Sequence, residues 1–219
     1  MKKTLKEILA DGLHFDENIL SAFENGKLVF FLGAGVSRLM GIEGWSDFSA
    51  RLVRKAFPDY KQQSTILKEI PNCKERITIA YKKFEKEGRV EAFYQEFGKA
   101  LKPQKSNSQP EKNIYEILNG FNAIFLTTNA DNLFEEVLGS ALCHENYDVE
   151  ILTNEYKRRQ NHLFYLHGHY TEGMDTKQNK LVFTAPQYVY RYNDPLFIDF
   201  LTRIFHSGNT IVFIGYGLN

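Results

Sequence analysis

Lys27-Leu28-Val29-Phe30-Phe31-Leu32 followed by Gly33-Ala34-Gly35-Val36-Ser37 is the stretch that decides the fold. The first six residues form a short apolar run without alternation. Such a run fits a strand buried on both faces, as in a parallel sheet. The same arrangement recurs along the chain. Ala123-Ile124-Phe125-Leu126-Thr127-Thr128 runs into Asn129-Ala130-Asp131, and Leu133, Phe134, Val137 and Leu138 then fall at helical spacing. His162-Leu163-Phe164-Tyr165-Leu166 ends at His167-Gly168-His169, and Thr210-Ile211-Val212-Phe213-Ile214 ends at Gly215-Tyr216-Gly217. Leu181-Val182-Phe183 reads as a shorter strand. Strand, turn and helix repeat, with glycine or polar residues closing each strand. That pattern predicts an α/β doubly wound parallel sheet. In such sheets ligands bind in the crevice beyond the carboxyl ends of the strands.

The surrounding sequence supplies helices. Leu5, Ile8, Leu9, Leu13, Ile19, Leu20 and Phe23 predict helix over the first 25 residues, closed by Gly26. Phe48, Leu52, Val53 and Ala56 predict another, starting near Ser46-Asp47 and stopped by Pro58. Residues 60–105 are rich in Lys, Glu and Tyr, with Ile77, Tyr81 and Phe84 in one helical set and Phe93, Phe97 and Leu101 in another. We read about 60–112 as a helical insertion in a single domain spanning 1–219, with 102–112 as loop. Helix is expected again over Asn113–Leu118 and in the later part of Gln187–Phe205, after Pro195.

Composition removes several function classes. The chain has 219 residues with 27 Lys+Arg against 27 Asp+Glu, so its formal net charge is zero. A dedicated nucleic-acid binder would carry a basic excess, and no nucleic-acid partner is evident here. The two cysteines, Cys73 and Cys143, form no CxxC pair. A four-cysteine zinc site is therefore impossible within this chain, and a disulfide framework is not expected. That usage fits a reducing, cytoplasmic location. The charged start Met1-Lys2-Lys3-Thr4-Leu5-Lys6-Glu7 lacks the apolar stretch of a signal peptide, and no run approaches the ~20 apolar residues of a membrane span.

The strand ends carry the candidate chemistry. Gly33-Ala34-Gly35 lets backbone approach a ligand closely, and a helix after it would offer free N–H groups to a pyrophosphate. The stretch is neither GxGxxG nor a P-loop, and a tight turn requiring glycine reads equally well. Asn129 and Asp131 can hydrogen-bond ribose hydroxyls or a carboxamide, or can cap the helix that follows. His167 can act as a general base near neutral pH. Metal binding through His167 and His169 is the alternative, although no third ligand is visible by spacing; a plain polar turn is the other.

Taken together, the motifs resemble the SIR2 (sirtuin) family. The matching pieces are Gly33-Ala34-Gly35-Val36-Ser37 with Gly41-Ile42, then Thr128-Asn129-Ala130-Asp131, His167-Gly168 and Gly215-Tyr216-Gly217-Leu218. The closer resemblance is to SIR2-like domains of bacterial antiphage defence proteins, through Gly41 and Trp45, Thr127-Thr128-Asn129-Ala130-Asp131 and Leu166-His167-Gly168. Ala130 stands where those domains commonly carry Tyr, and Gly217 where Ser is usual.

The resemblance implies a Rossmann-like fold that binds NAD as substrate, with no zinc. Gly33, Ala34, Gly35, Val36 and Ser37 would hold the pyrophosphate and ribose, and Asp131 would lie near the nicotinamide side. Gly215 would lie near the adenosine half. Asn129 and His167 match the catalytic asparagine and histidine. The implied activity is NAD+ glycohydrolase, giving nicotinamide and ADP-ribose, which in defence families depletes NAD. A non-catalytic NAD or ADP-ribose sensor is the alternative, and a zinc-free deacylase or ADP-ribosyltransferase a third reading. The family also implies homo-oligomerisation, with a C-terminal sensor region or a phage or partner protein as trigger. Related domains continue past the last glycine loop, so the chain is expected to be the N-terminal part of a longer protein.

Overall fold

The computed structural model describes residues 16–103, 113–147, 149–154, 160–175 and 180–217. The helix expected over Leu5–Leu13, most of the loop expected over 102–112, and Leu218 lie outside the described residues.

Five strands form one sheet: β1 (Leu28–Leu32), β2 (Ile124–Thr127), β3 (Cys143–His144), β4 (His162–Tyr165) and β5 (Thr210–Ile214), in the order β3-β4-β2-β1-β5. All four pairings are parallel. The doubly wound α/β sheet expected from the buried apolar runs is therefore present. The chain leaves β1 toward β2 and β4 on one side and returns to β5 on the other, so winding reverses between β1 and β5. Register aligns the strand ends: Leu32 pairs with both Thr127 and Ile214, and Thr127 with Tyr165. Gly33, Thr128, Gly215 and Leu166 consequently follow in one row, at the rim where such sheets bind ligands.

The runs of β1, β2 and β4 lack alternation because both faces are covered, whereas β5 is an edge strand that is only half-buried, with Phe213 exposed. Leu28, Phe30 and Leu32 of β1 join Phe125, Leu163 and Tyr165 in a core beneath three helices. These are α1 (Glu17–Glu24), α7 (Ile114–Leu118) and α8 (Leu133–Leu138). Val29, Ile124, Leu126 and Phe164 point the other way, against α9 (Glu150–Thr153) and α11 (Pro195–His206). Each large side chain so buried contributes roughly 1.5–3 kcal/mol.

A third core is helical. It joins α3 (Trp45–Ala56), α5 (Cys73–Lys86) and α6 (Val90–Ala100), through Phe48, Leu52, Ile77, Phe84, Phe93 and Phe97. The remaining helices are α2 (Ala34–Leu39), α4 (Tyr60–Glu69) and α10 (Ala185–Arg191). Arg51 of α3 ties this unit together. Its guanidinium bonds Glu43 at 2.7 Å and also contacts Glu96, which Lys99 reaches at 2.7 Å.

Two local readings change. Leu181-Val182-Phe183 is buried but forms no strand. Val182 N–H donates to the His167 carbonyl at 3.0 Å, while Leu181 and Phe183 feed the helical core, so tertiary burial rather than sheet pairing explains their apolarity. Cys143-His144 pairs with β4 as a two-residue edge strand too short to show any pattern. Among the described residues, no helix is long and apolar enough to cross a membrane.

Candidate functional site

Gly33 and Gly35 are explained first by the loop they face. Gly33 N–H donates to the Ile214 carbonyl and Gly35 N–H to the Gly215 carbonyl, each at 2.8 Å. A Cβ on Gly33 would stand 2.7 Å from the Gly215 carbonyl oxygen, and one on Gly35 2.7 Å from the Gly215 Cα. Gly215 itself has φ +74°, the left-handed region that favours glycine. The loops after β1 and β5 thus meet backbone to backbone. Val36 N–H donates to the Gly33 carbonyl at 3.1 Å, and the Val36 side chain is fully buried in the sheet core. The amides of Gly33, Gly35 and Val36 are therefore engaged within the protein. Of the five residues 33–37, it is Ser37 that brings a polar side chain to the site.

Ser37 sits one turn into α2 and is buried with Asn129 and Asp131. Its Oγ donates to Asp131 Oδ2 at 2.6 Å. The same Oγ accepts from Asn129 Nδ2 at 2.8 Å and lies 3.1 Å from the Tyr115 hydroxyl. With its one proton on Asp131, Ser37 takes the Tyr115 proton as acceptor, which fills its capacity. Asn129 Nδ2 also donates to the Gly33 carbonyl at 2.9 Å, linking the β2 end to the β1 loop. Asp131 Oδ1 accepts from Leu133 N–H at 3.3 Å, at the start of α8. The N-cap of α8 is Asn132, without a side-chain cap bond, so neither Asn129 nor Asp131 caps the helix, and both line the site. Burial pushes the Asp131 carboxyl above its ordinary value, and the Ser37 bond counters part of that rise. Burial and the Asp131 charge likewise raise the Tyr115 phenol.

A narrow cavity opens beside this network, lined by Ala34, Ser37, Ile42, Trp45, Asn129 and Asp131, with a volume of about 30 Å³. That is room for two or three water molecules, each needing roughly 10–15 Å³ of such space. The cleft is open to solvent on one side, with Ile42 and Trp45 on its wall. Ala130, between Asn129 and Asp131, packs into the helical core, and its carbonyl accepts from Tyr170 N–H at 2.8 Å.

His167 stands at the end of the next strand over and is buried. No hydrogen bond joins it to Asn129, Ser37 or Asp131. Its Nε2 lies 3.1 Å from the Tyr192 hydroxyl. Its ring meets the edges of Tyr188 at 5.0 Å and Tyr192 at 5.8 Å. Lys74 Nζ lies 3.6 Å from the centre of the Tyr188 ring, a cation–π contact. Burial, then the Lys74 charge, push His167 down to about 4, so its imidazole is neutral at pH 7.

His169 goes elsewhere. Gly168 has φ +68°, and a Cβ there would stand 2.8 Å from the Lys180 backbone. Beyond that turn, His169 Nδ1 lies 2.8 Å from Glu145 Oε1, and its ring stacks on Tyr165 at 4.6 Å. The Glu145 hydrogen bond raises its pKa against the opposing effect of burial. The left-handed glycine separates the two imidazoles. Among the described residues no group of three or more His, Cys, Asp or Glu is placed to hold a metal ion.

Sequence reading missed Tyr115, Tyr188 and Tyr192, and it quoted Thr128 and Tyr216 as motif positions without giving them a role. Tyr216 hydroxyl lies 2.8 Å from Thr128 Oγ1 and its phenol feels those of Tyr192 and Tyr188, so it stands between the Asn129 side and the His167 side. The spacing of Tyr188 and Tyr192 at i and i+4 was the available signal, since it puts both rings on one helix face.

No curated protein matches the chain. The family model described as the SIR2-like domain matches residues 123–219, a stretch that holds Asn129, Asp131, His167 and Gly215 and excludes Gly33–Ser37. Domains of this type are related to NAD use. Over residues 123–219 the chain is therefore similar to the SIR2-like domain.

Proposed function

We propose that the protein is an NAD+ glycohydrolase, acting in antiphage defence by depleting NAD. One observation carries the reading: the buried Asn129–Ser37–Asp131 network lies at the aligned ends of β1 and β2, within a chain whose second half is SIR2-like.

The donor set suits the chemistry. Asn129, whose amide protons are taken by Gly33 and Ser37, can accept from a ribose hydroxyl through its side-chain oxygen, and Ile42, Trp45 and Phe48 offer apolar walls to a nicotinamide ring. The reaction breaks the C–N bond between nicotinamide and ribose and adds water, releasing nicotinamide, ADP-ribose and one proton. The ribose gains oxocarbenium character, and nicotinamide leaves as a neutral molecule without acid help. Asn129 orients the ribose and the incoming water. His167 takes the proton from a ribose hydroxyl or that water, help worth about 100- to 10,000-fold. At about 4 the imidazole is neutral but weakly basic. The negative diphosphate of the substrate would oppose Lys74 and lift it toward neutrality.

The test is nicotinamide release from NAD by the wild type, Asn129→Ala and His167→Ala. Loss in both variants, with folding intact by circular dichroism, supports the assignment; undiminished turnover in both overturns it. The weak basicity of His167, held down at about 4, favours a second reading, a sensor that binds NAD or ADP-ribose without turnover. Binding by calorimetry with no nicotinamide release would select it. Homo-oligomerisation or a partner protein would supply the regulation an NAD-depleting enzyme requires.

A further inference from the structure

His167 differs from its neighbour His169 in what holds it. A carboxylate, Glu145, orients His169. The sole side-chain hydrogen bond of His167 among the described residues runs from Nε2 to the Tyr192 phenol, at 3.1 Å.

That phenol is itself fixed. Tyr192 closes α10, with its N–H on the Tyr188 carbonyl at 3.0 Å. Its ring lies parallel to Tyr188 at 6.3 Å and edge-on to Phe197 at 5.1 Å. Gln187 Oε1 accepts from Thr184 N–H at 2.9 Å and Phe183 N–H at 3.1 Å, anchoring the start of the helix. Phe197 is wholly buried in α11. The hydroxyl therefore reaches His167 from a helix clamped at both ends.

Burial keeps the Tyr192 phenol protonated at neutral pH, and His167 is uncharged there. Two arrangements of protons are possible. If the phenol donates to Nε2, the imidazole proton sits on Nδ1, which has no acceptor among the described residues. If Nε2–H donates to the phenol oxygen, Nδ1 carries only a lone pair. The proposed reaction needs the second arrangement, because Tyr192 occupies Nε2 and Nδ1 is the ring nitrogen left to receive a proton. The tautomer of a histidine follows from the bond its other nitrogen makes.

We propose that Tyr192 is the positioning residue of His167: it accepts from Nε2–H, holds the ring in that tautomer, and leaves Nδ1 as the nitrogen that takes the proton. The inference rests on His167 being the proton acceptor of the proposed reaction. Tyr192 touches no reacting atom and acts through His167 alone.

Tyr192→Phe removes the hydroxyl and keeps the ring, so the packing against Tyr188 and Phe197 survives. Tyr190→Phe, on the same helix and 82% exposed, is the control. The first readout is the 15N spectrum of the imidazoles without substrate, assigned with His167→Gln. In the wild type His167 shows a protonated Nε2 and a bare Nδ1, and in Tyr192→Phe a mixture of both tautomers. A wild-type His167 protonated on Nδ1, or an unchanged tautomer ratio in the variant, overturns the proposal. The second readout is NAD cleavage. Tyr192→Phe lowers kcat about fivefold to tenfold, the rate equivalent of one ordinary hydrogen bond, with KM unchanged. Tyr192→Phe turning over like Tyr190→Phe, while His167→Ala is inactive, refutes positioning alone. Full activity in His167→Ala refutes the underlying reading instead, and the spectra still report the tautomer.

Discussion

Replacing Gly35 by alanine separates the two roles open to the first glycine loop. The added Cβ would lie 2.7 Å from the Gly215 Cα and 2.8 Å from its carbonyl oxygen, both backbone atoms that cannot swing away. The loops after β1 and β5 must part by several tenths of an ångström, stretching the 2.8 Å bond from Gly35 N–H to the Gly215 carbonyl. Overpacking of this kind costs about 1–3 kcal/mol. For a chain of this size, a loss near 2 kcal/mol lowers Tm by about 4–8 °C. Gly217→Ala is the matched control, since nothing lies within 4 Å of its Cβ position, and it should melt with the wild type. Differential scanning calorimetry without NAD gives the answer. If Gly35→Ala melts with the wild type and loses only NAD affinity, the glycine serves ligand approach and the loop-packing argument fails.

Three further outcomes follow from the site. His167 is held at about 4 against an ordinary 6.5, so the unfolded state binds the extra proton between those values and stability falls as pH drops through that window. The shift is worth roughly 3 kcal/mol, and urea melts should show a smaller acid loss in His167→Gln than in the wild type. Ser37→Ala removes the hydrogen bond to the Asp131 carboxylate and should cost about 2–3 kcal/mol at pH 7. Burial already raises Asp131 and losing Ser37 raises it further, so this penalty should shrink as acid protonates the carboxyl; an equal cost at pH 7 and pH 4 would count against the buried network. Arg51→Ala leaves Glu96 with Lys99 alone and releases Glu43; after allowance for partial exposure it should cost about 2 kcal/mol in denaturant melts. A cost below 0.5 kcal/mol would make the cluster an ordinary surface ion pair.

The sheet was legible because burial on both faces leaves an unmistakable mark. Leu28–Leu32, Ile124–Thr127 and His162–Tyr165 are apolar without alternation because alternate side chains enter different cores. Leu181–Phe183 carries the same mark for another reason, a helical core beside it, and periodicity cannot tell those apart. The site divides in the same way. Asn129, Asp131 and His167 were readable because polar residues closing an apolar strand stand out. Tyr192 was not, and Tyr216 showed only as a motif position, since an aromatic next to a strand or in a helix is ordinarily core. Their importance lies in hydroxyl contacts with residues 25 and 88 positions away, which no local pattern encodes. The reach of Ser37 to Asp131 across 94 positions is of the same kind.

Ala130 gives the site its mechanical character. Its neighbours Asn129 and Asp131 belong to the strand-end network, yet Ala130 is sealed into the helical core with Phe48 and Phe97. These three consecutive residues cannot loosen without disturbing that core. In amide exchange, protection across Asn129–Asp131 should follow that of α3 and α6, making the polar cluster and the helical unit a single cooperative opening unit. A substitution deep in the helical core, far from any reacting atom, would then be felt as a defect in the site.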